Sequence, residues 1–377
     1  MEGSEWVEKT YSLGGLVEFM AEQPQFAAII SITDETGREG SLKQDDDTGS
    51  SGSNGPHAIR QQAGQMHPAG TLSNLFLVIT YADLIAAGEL DPATPVDPET
   101  VATFYLPETD RRHQRTFERW VSDAGDTPGI EQLIRYHIRH NDPAVADYLY
   151  FFLDEDRVTE ITLQLGEGVI EPPVPEYGLR MLALGFDPES TTLAERLEKL
   201  RQKNREELNE AAVAIARKQW ENPAVSDPGG ITYFQDQRAL HNLYPHLQPD
   251  RFAAVLLAMR NGSLISEEVS AMVDGLLQRS PGDHLLQRHV SEYAAHFDER
   301  MGYMNGWSLA RKNDTGAVQA QVILLYDLPA GLWFHMNSNF MIQDYHHRML
   351  YDQDIRDRSH MLLMAPGPVS YQQYHSH

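Results

Sequence analysis

HPAGTLSNLFLVITYADLIAAGEL, residues 67–90, is the stretch on which the fold reading turns. Residues 75–87 (LFLVITYADLIAA) are apolar nearly all round, the pattern of a helix buried on every side, and Gly88 stops it. Before it, residues 26–33 (FAAIISIT) are dense in β-branched side chains and end in the turn-like Asp34-Glu35-Thr36-Gly37, which predicts a strand. Residues 44–56 (QDDDTGSSGSNGP) hold no apolar side chain and read as a loop, with 57–65 as a candidate return strand. After it, helical patterning dominates to about residue 300. It covers 130–140, 144–153, 158–165, a long charged run at 192–220, and amphipathic segments at 249–260 and 266–278. The run 171–177 (EPPVPEY) interrupts it, since its prolines exclude regular structure. Strand character returns at 306–310, 318–326 (VQAQVILLY) and 332–337, and 344–364 reads as helix. Strands at both chain ends can join one antiparallel sheet. The expected architecture is α+β, with residues 1–70 and 300–377 forming a sheet lobe and 71–299 an all-helical lobe.

Composition narrows the function classes. The 377 residues carry 55 Asp+Glu against 30 Lys+Arg, a formal charge of −25. Such a chain is unsuited to nucleic-acid backbones, which need cationic surface, and to anionic lipid. With no cysteine, disulfides, thiolate zinc sites and cysteine nucleophiles are excluded. No run of about 18 apolar residues predicts a membrane span. The opening MEGSEWVEKTY has neither the basic nor the apolar region of a secretory signal. Only six of the 30 basic residues are lysine. High acid with little lysine keeps proteins soluble in strong salt; a halophile habit and a coding bias toward arginine both fit.

Three segments resemble class A β-lactamases and related penicillin-interacting serine hydrolases. Residues 67–90 are similar to the segment that carries the family's nucleophile helix. Residues 139–149 (RHNDPAVADYL) are similar to its Ser-Asp-Asn turn and following helix, and residues 248–278 to its helix pair before the last strands. Met304-Asn305-Gly306-Trp307 falls where the family has Lys-Thr-Gly on the strand lining the cleft. The resemblance spans most of residues 20–350. It implies a β-lactamase/transpeptidase-like fold, a small-molecule or peptidoglycan-like ligand, no cofactor and no metal. It also implies a periplasmic or secreted setting, for which this chain offers no signal.

The chemical motifs depart from that family. Its acyl transfer uses a serine activated by a lysine three residues on, one helical turn away. The residues three before the six lysines here are Trp6, Gly40, Arg196, Leu200, Ile215 and Leu309, so Ser-x-x-Lys occurs nowhere. Aligned on the following Leu-Phe, the two positions hold Thr71 and Asn74, with Ser73 beside them, and an asparagine is no base. His140-Asn141-Asp142 stands at the second motif, its frame uncertain by one residue. His140 would titrate near neutrality; Asn141 or Asp142 equally suits a turn that caps the next helix. Met304 replaces the cleft lysine, while Gly306 fits a strand needing close backbone approach. Glu171 lies near the place of the family's deacylating glutamate without its Leu-Asn, and Glu207-Leu208-Asn209 matches that motif only inside a charged helical run.

Other patterns carry less. Asp47-Thr48-Gly49 and Asp314-Thr315-Gly316 follow polar residues rather than the apolar strands of a protease carboxylate pair. Asp344, His346, His347, Asp352, Asp354, Asp357 and His360 match no metal spacing and read as a solvated helix face. The expectation is therefore a degenerate homologue, a pseudoenzyme binding a ligand or partner in the inherited cleft. The alternative is an active serine hydrolase with a re-tooled site. There Thr71 or Ser73 would attack, with His140 or a carboxylate as base, or another serine such as Ser308 would take over.

Overall fold

In the computed structural model, residues 4–34, 58–106, 111–124, 128–185, 192–224, 230–281 and 284–364 are described. The loop expected at 44–56, with its Asp47 triplet, lies outside them.

Among the described residues the strands are β1 (Ala27–Asp34), β2 (Ile59–Gln61), β3 (His67–Pro68), β4 (His246–Leu247), β5 (Val290–Asp298), β6 (Met304–Lys312) and β7 (Val318–Leu325). Five form one antiparallel sheet in the order β2-β1-β7-β6-β5. The first strand therefore lies beside the last, with Ile29 opposite Ile323, and strands from both halves of the chain share the sheet. Strands β3 and β4 pair separately, His67 opposite Leu247, and Ala69 N–H donates to Pro245 O at 2.9 Å. That ladder holds the start of the 67–90 segment against the chain leading into helix Pro249–Arg260.

Both faces of the sheet are covered. Ala28, Ile30, Trp307, Leu309, Val322 and Leu324 pack into the large core with helices Leu75–Ala86 and Pro249–Arg260. Ile29, Met304, Ile323 and Leu325 face the other way, onto helices Leu13–Glu22, Ala330–Ser338, Met341–Tyr351 and Gln353–Leu363. Strands buried on both faces carry near-continuous apolar runs rather than alternation, which is why β1 and β7 stood out in the sequence. Helix Leu75–Ala86 is buried over nine of its twelve positions, Leu75 to Asp83.

Several readings change. Residues 332–337 lie in a helix, Ala330–Ser338, because Leu332, Trp333 and Met336 fall on one buried helical face after Pro329. The third strand of the C-terminal half is instead β5, within the stretch read as helical. The run 192–220 is two helices, Leu193–Arg201 and Arg205–Glu221, the second started by Asn204, whose side chain accepts from Glu206 N–H at 2.8 Å. The Asp314 triplet forms the exposed β6–β7 turn, as its polar setting suggested. His346 does not lie on a solvated face. It is fully buried, its Nδ1 3.0 Å from Ser308 Oγ, and among the described residues no three His, Asp or Glu group to hold a metal. Ser308 is equally buried in this pair, so it meets no solvent.

Candidate functional site

The site begins at a glycine. Gly70 has φ +60°, and a Cβ there would stand 2.6 Å from the Tyr303 ring and 3.0 Å from Asp298 Oδ2. Only glycine takes this backbone and this spacing together. It lets the next residue approach the sheet edge. Thr71 precedes the 3-10 turn Leu72–Asn74 that leads into helix Leu75–Ala86.

Thr71 meets two other elements. Its Oγ1–H donates to Asp298 Oδ2 at 2.6 Å, and its backbone N–H donates to the same oxygen at 3.1 Å. Asn141 Nδ2 in turn donates to Thr71 Oγ1 at 2.7 Å. Asn141 ends helix Ile130–His140 in a left-handed conformation (φ 47°, ψ 49°), which asparagine tolerates better than most residues. Asp142 then starts helix Pro143–Phe152, its Oδ1 accepting from Ala144 N–H at 3.0 Å, and its Oδ2 accepts from Tyr136 O–H at 3.1 Å. In this turn Asn141 faces Thr71 and Asp142 caps the helix. His140 is exposed, its ring tilted against that of Tyr136 at 4.5 Å between centroids.

Asp298, the last residue of β5, is the hub. It accepts from Thr71 twice and from Tyr303 O–H at 2.9 Å, and Arg300 Nε lies 3.3 Å from its Oδ1. Burial pushes its carboxyl upward, but Arg300 and these donors outweigh it and hold the group below the usual carboxylate range. Arg300 continues the network to Glu176, which also receives Arg180 Nε at 2.7 Å. Burial alone would raise Glu176; Arg300 and Arg180 bring it down to about 2. Asp147 accepts from Glu176 N–H and Tyr177 N–H at 2.8 and 2.7 Å, capping helix Glu176–Gly185 from a neighbouring helix.

A cavity of about 20 Å³ remains, lined in part by Thr71, Ser73, Asn74, Asp147, Glu176 and Tyr244. That is room for about one water. Ser73 Oγ is buried with no hydrogen-bond partner among the described residues.

The structure thus brings Thr71 and Asn141 into contact and leaves Ser73 and Asn74 beside them on the cavity wall. The other expected cleft residues lie elsewhere. Met304 packs with the terminal helices on the opposite sheet face, and Trp307 fills the large core. Asn305 Nδ2 points to Pro68 O at 3.4 Å, and a Cβ on Gly306 would stand 2.6 Å from the Phe297 ring. All four sit on β6, an inner strand. The strand that reaches the site is β5, at the sheet edge. Glu171 is held by Arg205, with contacts of 2.8 and 2.6 Å, and by His246 N–H at 2.9 Å, away from the cavity. Sequence reasoning missed Asp298, Arg300, Tyr303, Glu176 and Asp147. Residues 293–310 (YAAHFDERMGYMNGWSLA) carried the signal: two stretches rich in aromatic and small residues about a charged turn with a glycine read as a hairpin.

No protein-family model and no curated protein matches the sequence. Solved structures do match in shape. A β-lactamase from Sphaerobacter thermophilus superposes with a TM-score of 0.51 at 12% identity, over 95% of this chain and 99% of that one. A β-lactamase from Chitinophaga pinensis gives 0.51 at 10% over 89% and 99%, and one from Xanthomonas campestris 0.50 at 11% over 94% and 99%. At such identities the likeness is one of architecture, and with the antiparallel five-stranded sheet it establishes that this chain has a β-lactamase/transpeptidase-like α+β fold.

Proposed function

We propose that this protein is a catalytically degenerate member of the β-lactamase fold, binding a small ligand or a partner at the inherited cleft. The observation that carries the reading is the Asp298 carboxylate on both the hydroxyl and the backbone N–H of Thr71. Acyl transfer at Thr71 needs a base for its proton and donors aimed at the oxyanion that forms. A carboxylate held by Arg300, Tyr303 and Thr71 itself, with its proton affinity lowered, is a poor base for a hydroxyl. The same carboxylate engages the nucleophile's own N–H, placing negative charge where an oxyanion would develop. Asn74 offers no replacement base. Losing parts of such a unit costs about 10³ to 10⁶ in rate.

The second reading, a re-tooled hydrolase, has one observation in its favour: the 2.6 Å Thr71–Asp298 contact is a hydroxyl on a carboxylate. Incubation with a fluorescent penicillin and an activated-ester probe, at low and molar salt, separates the two by intact mass. The degenerate reading expects no adduct on the folded protein. A stoichiometric adduct at Thr71 or Ser73 would establish an acyl-enzyme and sink it.

A further inference from the structure

Residues 299–303, which join β5 to β6, bring more polar chemistry into the cleft than a turn requires. Asp298 and Arg300 reach opposite walls. Asp298 holds Thr71 on the nucleophile-side turn, while Arg300 holds Glu176 and lies 3.5 Å from the Asn141 carbonyl oxygen. Asp298 and Tyr303 are buried, at 3% and 2% exposure. The donors around the Asp298 carboxylate are Thr71 N–H, Thr71 Oγ1–H and Tyr303 O–H, with the Arg300 guanidinium alongside. This is the polar complement of a small carboxylate, converging from two segments of chain far apart in sequence.

We propose that Asp298 is an intramolecular ligand. Its carboxylate fills an anion seat formed by Thr71, Tyr303 and Arg300, so that the hairpin latches the cleft shut against an exogenous carboxylate. Vacating the seat leaves the three Thr71 and Tyr303 donors without their carboxylate acceptor, beside a guanidinium that Glu176 still holds, an arrangement that a small carboxylate from solution can satisfy. The inference rests on the binding reading above, since a seat of this kind serves recognition and blocks acyl transfer.

The test is chemical rescue. Asp298→Gly removes the side chain and leaves its volume open. Its melting temperature is expected to fall by roughly 4–6 °C, as for loss of one partner of a buried ion pair in a chain of this length. Sodium formate should restore part of that loss with saturable dependence, as binding to the folded state alone requires. Sodium chloride at equal ionic strength should not, and the parent protein should show no saturable gain. Asp298→Asn, which fills the seat without the charge, should lose stability and not respond to formate. If Asp298→Gly does not fold, Asp298→Ser is used with the same salts. A folded variant whose response to formate equals its response to chloride overturns the latch. The penicillin and ester probes run on the parent protein decide separately whether the site is degenerate, so the two ideas fail on different readouts.

Discussion

Gly70 shows how one residue sets the site. Its positive φ turns the chain so that Thr71 N–H faces Asp298, and its missing Cβ leaves room for the Tyr303 ring. Gly70→Ala meets both constraints at once: a left-handed conformation for a residue with a Cβ, and an atom 2.6 Å from an aromatic carbon. The ring is buried and hydrogen-bonded to Asp298, so it has little freedom to yield. Backbone strain and overpacking together predict a loss of about 2–5 kcal/mol. Urea unfolding measures it, and a change below about 0.5 kcal/mol, the range of an ordinary surface substitution, would show that the ring gives way. Asn141 holds a comparable backbone position without strain of this order, because its short polar side chain suits the left-handed region and then reaches Thr71.

At the scale of elements, helix Glu176–Gly185 depends on a cap from another helix. Asp147 sits within Pro143–Phe152 and takes the first two N–H groups of helix Glu176–Gly185 on its two oxygens. Those N–H groups have no intrahelical acceptor. Asp147→Ala leaves both buried and unpaired, with an expected loss of about 2–4 kcal/mol; Asp147→Asn keeps one acceptor oxygen and should lose less. Equal losses in the two variants, read from denaturant midpoints, would show that the cap does not matter. This dependence also explains what the sequence concealed. Elements whose signal is local were legible: Ile130–His140 and Pro249–Arg260 were bounded to the residue, because helical periodicity and Pro at the first position lie within the segment itself. Strands β1 and β7 declared themselves through unbroken apolar runs. Strand β5 did not, since VSEYAAHFD at a sheet edge mixes polar and small residues and follows a helical stretch. The site suffered most. Thr71 and Asn141 were found through chain order, whereas Asp298 is 227 residues from Thr71 and nothing local marks it as that residue's partner. Reading β6 as the cleft strand followed from missing β5.

At the scale of the whole molecule, the buried and half-buried histidines decide how the fold answers acid. His137, His246 and His296 are pushed down to about 4, and His241 and His346 to about 3, in each case first by burial. All five are therefore neutral in the native state at pH 7. In the unfolded chain each binds a proton near pH 6.5. Between pH 6.5 and about 4 the unfolded state thus holds more protons than the native one, so stability falls as pH falls through that window. Each histidine adds a slope of up to about 1.4 kcal/mol per pH unit. Two effects oppose this. The Asp147 carboxyl, raised well above its ordinary value by burial, favours the fold in acid, and protonation of surface carboxylates relieves the repulsion of a −25 chain. Asp147 is one group against five, and repulsion is screened in salt. At 0.5 M sodium chloride, urea midpoints are expected to drop steeply from pH 7 to pH 5, where Glu176, held near 2, remains ionised and adds no slope. His346→Gln should flatten the curve by up to one proton, because it removes one of these groups while a polar side chain still faces Ser308. A midpoint that stays level between pH 7 and pH 5 would mean that the histidines take up protons without unfolding the core, so that the five are not held neutral in the native state.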